Sequence, residues 1–105
     1  MDSRLEQEKN MAITKEIKAD KIEVVGDYKH VQVRTATIIK EDGVELTRSF
    51  HRHVLHCSTK TDGTWGDTDI SGESADVQAV CNGVWTDEVK SAYQTHMDSQ
   101  NNLGE

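Results

Sequence analysis

Three side chains that can ligate a metal ion lie near the middle of the chain: His51, His53 and Cys57. Even numbers of residues separate them, so on a β-strand they point to the same side of a sheet. Imidazole and thiolate are ligands for zinc and copper, but the spacing matches neither a CxxC nor an HExxH pattern. We therefore expect ordinary hydrogen-bonded histidines and no bound metal or other cofactor. Further ligands, if they were needed, would come from His30, Cys81 or His96.

Cysteine nucleophilic catalysis is the second chemistry that these residue types allow. A reactive thiolate needs a positively charged neighbour, and Cys57 directly follows His56. Successive residues of a strand point to opposite faces, however, and the sequence contains no strand-turn-helix nucleophile motif. Cys81 lies in an apolar helical stripe, where a free cysteine acts as a small hydrophobic residue. We expect two free thiols and no enzymatic activity.

Arginines alternate with apolar residues along the segment that carries the histidines. Val44, Leu46, Phe50 and Val54 share one parity, and two arginines lie between them. Arginine and aromatic side chains are enriched in the cores of protein interfaces, so this face is a candidate binding surface; alternatively, its arginines only pair with acidic helices. A tryptophan in a glycine-rich loop is either a lid on the core or an anchor for a partner. The predicted interaction residues are Arg34, Arg48, Phe50, Arg52 and Trp65.

The elements that must position these residues begin with a long hairpin. Residues His30 to Lys40 alternate in a β-branched pattern, Glu41-Asp42-Gly43 predicts a tight turn, and Val44 to Leu55 returns. Ile22 to Val25 predicts a third strand. Both faces of the first hairpin strand hold apolar residues, which leaves open the question of which face is covered.

A loop and two helices follow the hairpin. The composition of Ser58 to Gly72 predicts a loop, and apolar residues at helical spacing predict helices from Ser74 to Val84 and from Thr86 to about Asn101. Each helix has one narrow apolar stripe, so both are expected to pack on one face of the sheet. The sequence thus predicts an α+β fold, a three-stranded antiparallel sheet packed by two C-terminal helices. The expected organisation is a flexible extension (residues 1–12), one domain (13–100) and a flexible tail (101–105).

Composition and charge narrow the classes of function. The net charge of −7 argues against nucleic-acid binding through phosphate neutralisation. Between Tyr28 and Lys60 there are six Lys/Arg and three Asp/Glu, whereas Thr61 to Glu105 holds nine acids and one lysine. No apolar window is long enough to span a bilayer, and the polar first residues do not resemble a signal peptide. We expect no membrane and no nucleic-acid partner.

The segments QVRTATIIKEDG, SFHRHV and VQAVCNGVWT carry a family resemblance. Over roughly Met11 to Gln94 the chain resembles a family of small uncharacterised proteins of tailed bacteriophages, marine phages among them. The resemblance implies a phage gene product in the host cytoplasm or the assembled virion, and it transfers no site residue.

Three functions are consistent with the sequence. The first is a structural or assembly protein, a minor virion component that self-associates as a homo-oligomer or docks on another virion protein. The second is a phage-encoded inhibitor or regulator that binds a host protein through acidic helices. The third is a small metalloprotein that uses the histidine cluster.

Overall fold

The described part of the chain forms five strands followed by two helices. The computed structural model describes residues 12–103, with side chains as far as Gln100. The expected α+β class, with both helices at the C-terminal end, is confirmed. In chain order the elements are β1 (Ile13–Val25), β2 (His30–Glu41), β3 (Val44–Leu55), β4 (Ser58–Thr61), β5 (Thr64–Asp67), α1 (Ala75–Val84) and α2 (Asp87–Leu103).

The long sheet has the strand order β1-β2-β3, and both pairings are antiparallel. The tight turn of the predicted hairpin is confirmed: Glu41 pairs with Val44, and Asp42 and Gly43 have φ of 54° and 80°. Glycine adopts such positive φ at no steric cost, and two such residues match the right-handed twist of the strands. The third strand is longer than predicted, because β1 begins at Ile13 and pairs with β2 along its whole length.

A second hairpin lies where the sequence predicted a loop. β4 and β5 pair as a two-stranded sheet, with Ser58 opposite Asp67 and a turn at Asp62 and Gly63. The two turn residues have φ of 53° and 81°, as in the long hairpin. The loop prediction is therefore wrong for residues 58–67. The Gly and Asp residues of this segment are typical of loops. An Asp-Gly pair between two Thr-containing segments, however, is also a signal for a hairpin turn.

Two β-bulges change which side chains share a face. One lies between Ala19 and Lys21 of β1, and the other lies opposite Ile39 and Lys40, where β3 has one extra residue, Leu46. Beyond that bulge Glu45, and not Val44, lies on the face that carries the arginines. The prediction that Val44 shares a face with Phe50 and Arg48 is therefore wrong, because an inserted residue reverses the parity of everything beyond it.

The hydrophobic core lies at one end of the long sheet. α1 packs against β1 and β2, and Ser74 caps this helix, its Oγ accepting a hydrogen bond from Val77 N–H at 3.4 Å. α2 reaches the long sheet through Tyr93, which lies in the shared core with residues of β2 and α1, and it packs in addition against the unpredicted strand β4. The buried core cluster comprises Val31, Val33, Cys57, Val77, Cys81, Trp85 and Tyr93.

The other end of the long sheet projects away from this core. We call residues 13–20 and 34–52 the arm, and residues 21–33 and 53–100 the body. The molecule measures 73 × 28 × 24 Å with a radius of gyration of 20.6 Å, whereas a compact chain of this length has about 13 Å. The elongation agrees with strands of 12 and 13 residues that span about 40 Å each.

The predicted flexible ends fall largely outside the described residues. Residues 1–11 of the expected extension and residues 104–105 of the expected tail are not described, while the backbone of α2 continues to Leu103. No helix within the described range has the length and apolarity needed to cross a membrane.

Candidate interaction surface

Four of the five predicted interaction residues lie on one face of the long sheet. The even-numbered residues of β2 point away from α1, and we call this side the open face. Phe50 lies opposite Ala36, and Arg52 lies opposite Arg34. Arg48 lies opposite Ile38 in the same register. The structure therefore brings Arg34, Arg48, Phe50 and Arg52 together, as the sequence predicted.

Arg34 is held by two contacts on this face. Its Nε and Nη2 donate to Oδ1 and Oδ2 of Asp20, each at 2.9 Å, and its guanidinium carbon lies 4.4 Å from the centre of the Phe50 ring. Asp20 is the extra residue of the β1 bulge. The Arg34 hydrogen bonds hold the pKa of Asp20 below its usual value. The pair fixes the guanidinium as a flat group over the ring, a favourable cation–π arrangement.

Arg48 forms a similar two-pronged pair with Glu45. Its Nη2 and Nε donate to the two carboxylate oxygens at 2.7 and 3.0 Å, and these bonds lower the pKa of Glu45. The pair exists because the bulge at Leu46 turns Glu45 onto the open face. The alternative in which the arginines pair only with acidic helices is therefore wrong for Arg34 and Arg48, since both use acids of the long sheet itself.

Two side chains on the open face are buried without a helix above them. Ile38 is 1% exposed and Ala36 is fully buried, although no helix lies over this face in the described part of the chain. Their cross-strand neighbours are Arg48 and Phe50 on β3 and charged residues on β1. Long side chains can cover apolar surface with their aliphatic stems while the charged ends stay in water. The open face of the arm thus holds two buried apolar side chains beside charged and aromatic cross-strand neighbours.

Arg52 differs from the other two arginines. It is exposed and lies directly opposite Arg34, and within residues 12–100 no carboxylate is close enough to form an ion pair with it. A groove of about 230 Å³ runs beside it on the open face. Arg52 is therefore a cation of the surface that remains available to another molecule. The groove is lined by Lys21, Glu23, Gln32, Val33, Arg34, Arg52, His53 and Val54.

Trp65 does not belong to this surface. It packs against the body core, and its Nε1–H donates to both carboxylate oxygens of Asp98 at 3.2 Å. Lys60 Nζ donates to the same carboxylate at 3.0 Å and lies 5.5 Å from the centre of the Trp65 ring. The hydrogen bond from Lys60, and after it that from Trp65, lowers the pKa of Asp98. Of the two interpretations of Trp65, the structure supports the lid on the core.

The metal candidates do not converge on one point. The rings of His51 and His53 stack with centres 6.2 Å apart, but His53 Nε2 lies 2.9 Å from a carboxylate oxygen of Glu73. Cys57 is buried, its Sγ donates to Val89 O at 3.9 Å, and burial raises the pKa of its thiol. Burial thus disfavours the thiolate that a ligand or a nucleophile requires. Among the described residues no group of three or more His, Cys, Asp or Glu side chains is placed to hold a metal ion.

A cluster of aromatic and histidine rings was not predicted from the sequence. His30 Nδ1 lies 3.0 Å from His56 Nδ1, so one nitrogen donates and the other accepts. His56 stacks on Tyr93 at 5.9 Å. Burial, and then the charge of His56, lowers the pKa of His30. The sequence could have indicated the His30–His56 pair. A two-residue turn at Asp42 and Gly43, with one bulged residue in β3, places residue 30 beside residue 56.

Comparisons with protein-family models, curated proteins and solved structures gave no match. The chemical properties of the surface therefore carry the functional argument. The open face of the arm offers apolar side chains, a stacked Arg–Phe pair and one uncommitted arginine, a composition typical of protein interfaces.

Proposed function

We propose that this protein is a structural or assembly protein that binds another protein through the arm, the partner being a second copy or a component of a virion. The observation that carries the proposal is the distribution of exposed large apolar side chains. Among residues 12–100 there are eight, all of which belong to the two edge strands β1 and β3, and five lie on the arm. Those five are Ile13, Ile17, Val44, Leu46 and Phe50.

Among residues 12–100 no second layer covers these side chains of the arm. An apolar side chain in water gains stability when it is buried, by about 25 cal/mol per Å² of apolar area. Edge strands additionally present unpaired backbone N–H and C=O groups, which form a template for another chain. An arm with exposed apolar side chains on two free edges is therefore suited to association, and enzymes rarely need such a feature.

The phage context rests on the family resemblance. The segments QVRTATIIKEDG and SFHRHV, which carry much of it, form most of β2 and half of β3. In this proposal the chain acts during assembly in the host cytoplasm and persists in the particle as a minor component.

A regulator of a host protein is the second candidate function. The body holds ten Asp/Glu and four Lys and contains no arginine, so it is strongly acidic. An acidic surface attracts a basic partner through its field and steers the encounter. In this candidate the body makes the contact, and the arm does not.

Site-specific photo-cross-linking on purified virions tests the proposal. A photoreactive residue replaces Leu46 on the arm or, as the matched control, Ser91 on the exposed side of α2; mass spectrometry then identifies partners and counts copies per particle. We expect the chain in the particle and cross-links from position 46 only. Absence from virions, with cross-links from position 91 to a host protein, would replace the proposal by the regulator.

Charge reversal gives an independent test. Arg48→Glu with Arg52→Glu alters the arm, and Asp27→Lys with Glu88→Lys alters the exposed surface of the body by the same number of charges. We expect partner capture to be lost in the arm variant and retained in the body variant. The opposite pattern would favour the regulator. Asp98 is unsuitable as a control site because Trp65 and Lys60 bind it.

A further inference from the structure

We propose that the partner of the arm is a second copy of this chain, joined through the free edge of β3 in an antiparallel, two-fold symmetric pairing that makes one six-stranded sheet. The inference rests on the proposed function, that the arm is the binding surface, and adds the occupant and its register. Five observations lead to it: the condition of the two edges, the length of the regular segment, the side chains that meet, the groove beside β3 and the charge of the body.

The two edges of the long sheet are not equally able to pair. β1 carries three lysines and is interrupted by the bulge at Asp20. Lysines and bulges on an edge strand oppose pairing with another strand. β3 contains no lysine and pairs with β2 without a register shift over the nine residues from Thr47 to Leu55. β3 is therefore the edge that can accept another strand.

Symmetry restricts the register. Two copies of one strand that pair antiparallel in a continuous sheet are related by a two-fold axis perpendicular to the sheet, so the axis passes beside a single residue. An axis at His51, the midpoint of Thr47 to Leu55, is the register that uses all nine regular residues. These nine residues span about 30 Å.

This register brings complementary side chains together on the open face. Phe50 lies opposite Arg52 of the partner subunit, and the relation repeats across the axis. Arg52 is the arginine without an ion pair among residues 12–100, and Phe50 is 47% exposed although Arg34 already covers it in part. An arginine over an aromatic ring in a cross-strand pair is favourable.

The same register places the tip of one arm in a groove of the other copy. Continued past Leu55, it carries the tip of the partner's arm, with the partner's Leu46 and the partner's Val44, towards the start of β4. A groove of about 360 Å³ lies at this point, lined among others by Leu55, Trp65 and Tyr93. Leu46 and Val44 are 57% and 64% exposed in the single chain. Two such tip contacts add apolar burial to the strand pairing.

Charge favours the antiparallel arrangement as well. The arm is nearly neutral, with six Lys/Arg and five Asp/Glu, whereas the body is strongly acidic. Antiparallel pairing brings the neutral arms into contact and sets the two acidic bodies at opposite ends of the dimer. Like charges are thereby kept several Debye lengths apart at physiological salt.

Hydrogen exchange and sedimentation velocity of the full chain over a concentration series test the choice of edge. We expect a dimer at high concentration, with amide protection that rises with concentration across residues 47–55 and not across β1. A monomer at every concentration, or concentration-dependent protection of β1 instead, would overturn the inference. A monomer that still cross-links from position 46 to a virion protein leaves the proposed function standing.

A mixing experiment tests the register. Phe50→Arg sets two guanidinium groups against each other across the axis, and Arg52→Glu sets a carboxylate against Phe50, so each variant alone should dimerise about tenfold or more weakly than the parent. Mixed in equal amounts, the two variants pair the introduced guanidinium with the introduced carboxylate on one side of the axis and keep the native pair on the other. We expect the mixture to dimerise with about the parent's affinity, a rescue that cannot arise within one chain.

Ile17→Arg on β1 is the matched control, since Ile17 is 61% exposed on the other edge, and it should dimerise like the parent. A mixture that associates no better than the separate variants would overturn the register. If circular dichroism shows that Phe50→Arg does not fold, the exchange pattern of the parent and the weakened dimer of Arg52→Glu decide instead, and unchanged dimerisation of Arg52→Glu counts against the inference.

Discussion

The body buries its apolar side chains in a shared core, whereas the arm exposes most of its own. In the body, residues from β2, α1 and α2 meet with Cys57 in one buried cluster. In the arm, Ala36 and Ile38 are buried under charged neighbours, and Arg34–Asp20 and Lys40–Glu16 are ion pairs between adjacent strands. The stability of the two regions therefore has different sources. The body is stabilised by apolar burial, and the arm by strand pairing and by its continuity with the body.

The largest effect is expected from the core of the body. Trp85 is 7% exposed, and its Nε1–H donates to Lys29 O at 2.7 Å. Trp85→Ala should lower the free energy of unfolding by about 3–5 kcal/mol, because it opens a cavity and leaves the Lys29 carbonyl without its donor. Denaturant unfolding measures the loss. A decrease below about 1 kcal/mol would mean that the arm and not this core holds the fold together.

The turn of the arm should show an intermediate effect. Gly43 has φ of 80°, and valine cannot adopt this conformation without strain. Gly43→Val should cost on the order of 1 kcal/mol or more. Gly63→Val, at φ of 81° in the small hairpin, is the matched variant in the body. Equal denaturant midpoints for Gly43→Val and the parent would contradict the two-residue turn.

A smaller, pH-dependent effect is expected at the histidine pair of the body. Burial lowers the pKa of His30 below its ordinary value of 6.5, so the unfolded chain takes up the proton first. The free energy of unfolding should therefore be constant above this pH and fall as the pH is lowered through 6.5 towards the folded-state pKa. Thermal unfolding measured from about pH 8 to about pH 5, the range in which histidine titrates, tests this.

His30→Asn removes the titrating group and should flatten this part of the profile. Ser91→Asn, at an exposed position of α2, introduces the same side chain without removing a titrating group and should keep the parent's pH dependence. Equal slopes for the parent and His30→Asn would contradict the assignment.

The smallest effect on stability is expected on the open face of the arm. Phe50→Ser removes a half-exposed ring together with its contact to Arg34, and the free energy of unfolding should fall by about 0.5–1 kcal/mol. The same variant should weaken association clearly, since the ring is part of the proposed interface. Unfolding of the monomer and sedimentation of the folded protein separate the two quantities. A large loss of monomer stability would mean that Phe50 serves the fold of the arm.

Local patterns in the sequence predicted much of the fold and part of the surface. The alternation from His30 to Lys40, the Asp-Gly turn and the helical stripes are short-range signals, and the structure confirms each of them. The sequence predicted too short a β1, because Ile13 to Asp20 mixes charged and apolar residues. Only the pairing with β2 makes this segment part of the strand. The Asp62-Gly63 pair is a sequence signal for the β4–β5 hairpin, but the surrounding Gly, Asp, Ser and Thr residues are equally typical of a loop.

From the sequence alone came the long hairpin, the two helices and the shared face of Phe50 and the three arginines, because these depend on side-chain spacing within single elements. Tertiary structure decided the rest. The bulges placed Asp20 and Glu45 beside the arginines, the small hairpin gave α2 a further surface to pack against, and the packing of α1 determined which face stays open. Each of these outcomes depends on contacts between residues far apart in the chain, and local spacing carries no information about such contacts.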